Sequence, residues 1–267
     1  MSEHKQIIYA KNINDIFYQM KSIPGLQIVG GCTQELKLPQ KSLSIFNIDE
    51  LNFAIKHERR FDFGPGITLS QILKIGKSKL PSVFYEALKS IGNSNIRNMA
   101  TLAGNIANTK YFHTLVAPLV ALDAKIEIQS ETETKYIPLT KLNSIPEGFI
   151  ITKIQLPLDF WEVSVFKKLG PASSITDNSA SFVFLANTQK GQISEIKIVF
   201  AGPFIFKNIE LENKLLGAYL PLKSELIFDV VKVAEQKYDE FSKEKSSPQV
   251  LKEQFLNLVK FSLEQLT

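Results

Sequence analysis

Residues 93–108 restrict this chain more than any other stretch. Their sequence, NSNIRNMATLAGNIAN, alternates small residues and amide side chains with single apolar residues. A turn containing Ala100, Thr101, Ala103 and Gly104 is expected to leave backbone N–H groups uncovered, and a diphosphate binds to such groups. A polar connector between two strands would have the same composition, so the residues alone leave both interpretations open.

A second glycine turn lies upstream. Residues 5–10 and 26–29 predict two strands, and the apolar spacing between them predicts a helix that begins near Asn12. Gly30 and Gly31 follow the second strand directly, which places exposed N–H groups at a strand end. The spacing does not fit the G-x-G-x-x-G fingerprint, so a Rossmann domain is disfavoured.

The remaining pattern predicts an α+β chain with a boundary near residue 160. Before it, Thr68 and Pro81 begin two helices, and a third runs from about residue 115 to 122. Apolar runs predict strands on both sides of the boundary, over residues 43–46, 53–55, 61–63, 125–129, 134–137, 149–156, 163–167, 180–186 and 193–201. Helices over residues 210–216 and 222–241 and after Pro248 close a small α+β layer.

Composition excludes several functions. The net charge of +4 contains no block of five or six like charges, so we expect no nucleic-acid partner. The single cysteine, Cys32, excludes an internal disulfide and a cysteine-ligated iron–sulfur cluster. His4, His57 and His113 lack the spacing of a zinc site. Without a signal-like start or an apolar run of membrane-span length, a cytoplasmic protein is the simplest inference.

Several motifs together resemble one family. The run IRNMATLAGNIAN (residues 96–108) resembles the IRN-x-x-T-x-G-G-N signature of the FAD-binding (medium) subunit of molybdenum hydroxylases, which include xanthine and carbon monoxide dehydrogenases. Residues 28–33, 64–69 and 117–124 match the family in unchanged order. The resemblance implies a two-subdomain FAD-binding module of the vanillyl-alcohol-oxidase (PCMH) type over residues 1–160, with subdomains of about 1–56 and 57–160. A small α+β C-terminal domain, residues 161–267, would follow it.

The resemblance also implies which residues hold the cofactor, and no catalytic acid or base. Two turns would embrace the diphosphate, formed by Ile28, Val29, Gly30, Gly31, Cys32, Thr33 and Gln34 and by Thr101, Leu102, Ala103, Gly104 and Asn105. Ile91 and Ile151 match apolar positions near the flavin, although each alone has the character of a core residue. Lys168, or its neighbour Lys167, matches a lysine that stabilises negative charge on the reduced ring.

The sequence departs from the family pattern at several positions. Where the family has two adjacent glycines, this sequence has Ala103 and Gly104. Thr114 stands in place of a family aspartate, Thr33 or Gln34 in place of an acidic residue, and Ala172 in place of an arginine. An added Cβ at position 103 and the lost carboxylate at position 114 would both weaken FAD binding.

Two hypotheses of different classes follow. In the first, the chain is an electron-transfer subunit that receives electrons from a small [2Fe-2S] subunit, fed by a large molybdopterin subunit, and passes them to NAD or another acceptor. In the second, it is a scaffold subunit of the same complex with weakened or lost FAD binding. A free-standing FAD oxidase is disfavoured, because no residue has the character of a substrate base or of a covalent flavin attachment site. The sole candidate for attachment, His113, is a lone histidine after two aromatic residues and has the character of a loop residue.

Overall fold

A computed structural model describes residues 6–33, 39–46, 48–107, 112, 114–141, 145–171 and 174–266. The chain forms two compact units. The first unit contains Met1–Leu80, Ile91–Thr109 and Asp123–Leu158; the second contains Pro81–Ser90, Lys110–Leu122 and Asp159–Thr267. Two short segments that precede residue 160 therefore lie in the second unit, whereas the division into a FAD-binding and a C-terminal domain stays a prediction.

A small parallel sheet begins the first unit. Strands β1 (Gln6–Tyr9), β2 (Gln27–Val29) and β3 (Lys41–Ser44) lie in the order β1-β3-β2. Helix α1 (Ile13–Ser22) starts as predicted at Asn12, whose side chain accepts a hydrogen bond from the Asp15 N–H. Its buried residues pack with residues of the sheet. The helix carries the chain back to the edge where β1 began, so β1 and β2 run in the same direction.

A five-stranded antiparallel sheet completes the layers of the first unit. Its strands are β4 (Ala54–Lys56), β5 (Arg60–Phe63), β6 (Lys125–Gln129), β7 (Thr134–Pro138) and β8 (Ile150–Pro157), in the order β4-β5-β8-β6-β7. Apolar residues of β5, β6 and β8 are buried on one face, while Asp62, Glu127 and Lys153 lie on the other. Three short helices, α2 (Leu69–Leu73), α4 (Ser94–Met99) and α5 (Leu102–Ile106), also belong to this unit.

The second unit is built on a four-stranded antiparallel sheet. Its strands are β9 (Val163–Leu169), β10 (Ala180–Gln189), β11 (Gln192–Ala201) and β12 (Ile205–Lys207), in the order β12-β11-β10-β9. Phe182, Phe200, Phe206 and Phe255 form an aromatic core with the helices. Those helices are α7 (Ile209–Asn213), α8 (Ser224–Ser242) and α9 (Gln249–Glu264); α3 (Ser82–Lys89) and α6 (Val116–Ala121) also lie in this unit.

The α+β class is confirmed, and the structure differs from the sequence-based expectation mainly at residues 94–106. We expected an open turn there, and the chain instead forms α4 and α5. Asn93 and Thr101 cap them, with side chains that accept hydrogen bonds from the N–H groups of Ile96 and Gly104. A side-chain cap at each start allows even a two-turn helix to satisfy its first N–H groups. Strand β12 was also not predicted.

Candidate functional site

The glycine loop, residues 30–33, begins where β2 ends. In the described part of the chain, the N–H groups of Gly30, Gly31 and Thr33 have no hydrogen-bond acceptor. Cys32 adopts a left-handed conformation with φ of 51°, which turns the backbone sharply after the glycine pair. Successive N–H groups in such a turn form a concave donor surface, which is the arrangement that binds phosphate oxygens.

The glycine loop lies directly against the end of α4 and the start of α5. A Cβ added at Gly31 would meet the Met99 carbonyl oxygen at 1.6 Å, and one added at Gly30 would meet the Thr101 hydroxyl oxygen at 2.8 Å. No side chain larger than hydrogen fits at Gly31 without movement of the backbone. The structure thus brings together two segments that are about 70 residues apart in the sequence.

The Thr101 turn, residues 101–105, has four of its five backbone N–H groups hydrogen-bonded, so the expectation of an open row of donors was wrong for residues 102–105. Four of its N–H groups have acceptors: Leu102 bonds Ile67 O (3.0 Å), Ala103 bonds Pro65 O (3.2 Å), Gly104 bonds Thr101 Oγ1 (3.1 Å) and Asn105 bonds Thr101 O (3.2 Å). The reason is tertiary: an antiparallel bridge between Thr68 and Thr101 supplies the first two carbonyls.

What the Thr101 turn offers a ligand is a hydroxyl group. Thr101 Oγ1 accepts the Gly104 N–H and retains its own hydrogen to donate. Ala103 is buried within α5, with its N–H committed to Pro65 O. Its backbone is therefore not a phosphate donor, whether alanine or glycine stands there.

Ile91 and Ile151 differ in their surroundings. Ile91 is half-buried and follows the C-cap of α3 in the sequence. Arg97 of α4 donates from Nη1 to Ile91 O at 2.9 Å and to Gly92 O at 2.7 Å. Ile151 is 5% exposed and pairs with Ile128 across the five-stranded sheet, which is a core position. A flavin contact at Ile151 stays a prediction.

Lys168 and Thr114 belong to the second unit. Lys168 is half-buried and its Nζ donates to Ser90 O, at the C-terminus of α3, at 3.3 Å, whereas Lys167 is exposed. Burial lowers the pKa of the Lys168 ammonium because desolvation disfavours its charge. Thr114 is 6% exposed, just before α6. Among the other predicted positions, Gln34, His113 and Ala172 lie outside the described residues.

The residues of the first unit fit a diphosphate group. The glycine loop supplies N–H donors, Thr101 supplies a hydroxyl, and the added-Cβ contacts show that the backbone at Gly30 and Gly31 is closely enclosed. Sequence reasoning missed Met99, whose carbonyl oxygen forms the wall opposite Gly31. Arg97 was recognisable from the sequence only by its place in the IRN motif, which gave it no role.

The residues that the structure describes contain no group of three or more histidine, cysteine, aspartate or glutamate side chains placed to hold a metal ion. None of their helices has the length and apolar character needed to cross a membrane. Neither result assigns a function.

Comparison with known proteins identifies the family. Residues 3–159 match the model of the FAD binding domain in molybdopterin dehydrogenase, which is more than half of the chain. The chain therefore belongs to this family of oxidoreductase flavoproteins, whose cofactor is FAD.

Three relatives are similar to this chain over between about a third and three quarters of their own length. The medium chain of glyceraldehyde dehydrogenase from Sulfolobus acidocaldarius is 28% identical over 210 residues, which are 74% of this chain and 73% of the relative. The FAD subunit of nicotinate dehydrogenase from Eubacterium barkeri is 24% identical over 60% of both chains. The xanthine dehydrogenase FAD-binding subunit of Escherichia coli O157:H7 is 29% identical over 39% of this chain and 36% of its own.

Solved structures confirm the PCMH-type fold. A chain of carbon monoxide dehydrogenase from Hydrogenophaga pseudoflava matches with a TM-score of 0.80 at 15% identity, over 98% of this chain and 96% of that one. A chain of quinoline 2-oxidoreductase from Pseudomonas putida 86 matches with a TM-score of 0.79 at 14% identity, over 98% and 95%. At such low identity these matches establish the fold alone.

Proposed function

We propose that this chain is the FAD-binding electron-transfer subunit of a molybdopterin-dependent hydroxylase or dehydrogenase complex. The observation that carries the proposal is the enclosed glycine loop, whose N–H groups at Gly30, Gly31 and Thr33 have no acceptor among the described residues and which lies beside the Thr101 hydroxyl, in a chain of an FAD-binding family. A diphosphate carries two negative charges and needs donors of this kind, held at fixed positions.

The chain's own residues would bind and tune the cofactor. Gly30, Gly31 and Thr33 donate backbone N–H groups to the diphosphate, and Thr101 donates its hydroxyl hydrogen. Bound FAD supplies the one- and two-electron redox chemistry. Lys168 holds a half-buried positive charge of the kind that stabilises negative charge on a reduced flavin. We assign no residue to acid–base catalysis.

The partners follow from the class of complex. Cys32 is the one cysteine of the sequence, so a cysteine-ligated iron–sulfur cluster must come from another chain. We propose a small [2Fe-2S] subunit as electron donor, a large molybdopterin subunit as the place of substrate oxidation, and NAD or another acceptor as the exit. The name of one relative, a dehydrogenase medium chain, supports such a heteromeric assembly, and a cytoplasmic location would suit it.

A second candidate function is supported by the Thr101 turn. Its four committed N–H groups remove backbone donors that the motif was expected to supply. If the glycine loop alone binds too weakly, the chain would serve as a scaffold subunit without flavin.

Reconstitution with FAD separates the two functions. The purified chain is titrated with FAD while flavin fluorescence and visible absorbance are recorded, and the stoichiometry is measured after gel filtration. The electron-transfer function predicts one FAD per chain and reduction of that FAD when the co-expressed complex receives substrate. If the chain is colourless after gel filtration from excess FAD, both alone and in the complex, the scaffold function is established.

A further inference from the structure

Arg97 lies in a segment whose side chains are mostly exposed. The segment, residues 91–99, contains the Ile91–Gly92 link and helix α4. Every residue of α4 except Arg97 is exposed, and none is buried. An isolated helix of six residues is unstable in water, so α4 depends on contacts with other parts of the chain.

The contact at the start of the segment is the Arg97 guanidinium. Ile91 and Gly92 lie between the C-cap of α3 at Ser90 and the N-cap of α4 at Asn93, so neither carbonyl has a partner within a helix. Arg97 Nη1 donates to both, at 2.9 Å and 2.7 Å. Hydrogen bonds from a charged donor are stronger than neutral ones.

The geometry of the link leaves little freedom. Gly92 adopts φ of 49°, and a Cβ there would meet the Ile96 side chain at 2.9 Å. Gly92 therefore packs against the Ile96 side chain of α4 in a conformation that favours glycine, and Arg97 bonds the carbonyl of the same residue.

The other end of α4 forms part of the proposed binding site. The Ala100 carbonyl accepts the Leu69 N–H at 2.9 Å, which fixes the C-cap of α4. Immediately before it, the Met99 carbonyl oxygen lies where a Cβ on Gly31 would be, at 1.6 Å. A shift of α4 would therefore change the wall that faces the glycine loop.

We infer that Arg97 is a positioning residue for the cofactor site, an inference that rests on the proposed binding of FAD. Through the Ile91 and Gly92 carbonyls it fixes α4, and through α4 it fixes the Met99 wall beside the glycine loop. The same two hydrogen bonds fix the backbone of Ile91, the residue predicted to contact the flavin. Arg97 itself needs no contact with FAD for this role.

Hydrogen exchange in the free chain tests the first step without any cofactor. Arg97→Met keeps the length of the stem and removes the donors, and Asn95→Met is the matched control at an exposed position of the same helix. We expect the amides of Ile96 and Ala100, both hydrogen-bonded in α4, to exchange at least about tenfold faster in Arg97→Met and at the wild-type rate in Asn95→Met.

FAD titration of the same proteins tests the second step. We expect Arg97→Met to weaken FAD binding about tenfold, Arg97→Lys to restore most of the affinity, and Asn95→Met to bind as wild type. Unchanged exchange, or unchanged affinity despite faster exchange, in Arg97→Met overturns the inference. Failure of the wild-type chain to bind FAD would instead refute the proposed function, and the exchange result would still report whether Arg97 holds α4.

Discussion

The glycine loop and the Thr101 turn have similar small-residue sequences, but they offer a ligand different groups. In the glycine loop, the N–H groups of Gly30 and Gly31 have no acceptor within the described residues. In the Thr101 turn, four successive N–H groups are bonded, two of them to carbonyls from residues 65–67. The difference shows that a small-residue turn binds phosphate through its backbone only if no neighbouring strand or helix uses its donors first.

The two regions should therefore contribute differently to FAD binding. The glycine loop supplies most of the donors, and the Thr101 turn supplies one hydroxyl and part of the enclosing surface. The following changes test this division, in order of decreasing expected effect on the cofactor.

Gly31→Ala should weaken FAD binding by at least about a hundredfold. The new Cβ would overlap the Met99 carbonyl oxygen, so either the loop or α4 must move and the donor surface is lost. The same overlap should destabilise the chain by about 1–3 kcal/mol. Fluorescence titration with FAD and urea unfolding measure the two effects. A dissociation constant within about threefold of wild type would show that the loop adapts and is not the main phosphate site.

Thr101→Val should weaken FAD binding about tenfold. Valine has the shape of threonine but loses the hydroxyl donor and the N-cap of α5, which is worth about 1 kcal/mol of stability. Thr101→Ser keeps the hydroxyl and is the control, with affinity expected near that of wild type. Equal affinities of the valine and serine variants would remove the hydroxyl from the site.

Lys168→Met should change the flavin potential and leave the affinity nearly unchanged. If Lys168 lies beside the reduced ring, losing about 1.4 kcal/mol of stabilisation lowers the two-electron potential by about 30 mV. Lys167→Met is the matched control, because Lys167 is the exposed neighbour in the same strand. Spectroelectrochemical titration of both variants is the measurement. A potential that moves in neither variant, with FAD content complete, would remove Lys168 from the proposed flavin site.

Gly104→Ala should change FAD affinity by less than about threefold. Gly104 lies in helix α5, its N–H is already bonded to Thr101, and an added Cβ would meet only the Thr101 hydroxyl oxygen, at 3.0 Å. The contrast with Gly31→Ala is the direct test of the division between the two regions. A hundredfold loss of affinity in both variants would mean that the turn approaches the phosphates as closely as the loop.

Glu127→Gln should leave FAD binding unchanged at neutral pH while lowering stability. Burial raises the pKa of Glu127, but hydrogen bonds from Lys153, Tyr136 and Thr152 outweigh it, so the pKa lies below its usual value. Lys153 Nζ donates to this carboxylate at 2.8 Å and Thr152 Oγ1 at 2.7 Å, far from either loop in sequence.

The stability effect of Glu127 has a defined pH dependence. Because its pKa is lowered in the folded chain, its stabilisation is complete above the unfolded value of about 4.5 and is lost as pH falls through the folded value. Urea unfolding should therefore show a difference of about 1–3 kcal/mol between wild type and Glu127→Gln at pH 7 that shrinks below about pH 4. A difference that persists unchanged in acid would contradict the lowered pKa.

The sequence by itself determined most of the helices and strands, the family, and the glycine loop as a place with exposed N–H groups. Thr68 caps the helix it was expected to cap, and α1 begins at Asn12 as expected, because a short polar side chain before an apolar period is a local signal. The exposed N–H groups of the paired glycines could also be predicted locally, because Gly30 and Gly31 follow the last residue of β2 directly.

Only the tertiary structure decided which N–H groups stay free and what encloses them. Whether the Leu102 and Ala103 N–H groups are available depends on the carbonyls of residues 65–67, which come from another part of the chain. Position 31 requires glycine because the Met99 carbonyl oxygen lies against it. Arg97 can act as a positioning residue because the turn at Gly92 places a carbonyl within reach of its guanidinium. Propensity and periodicity are local quantities, whereas the hydrogen-bond acceptors and close contacts that decide these points come from residues brought together by folding.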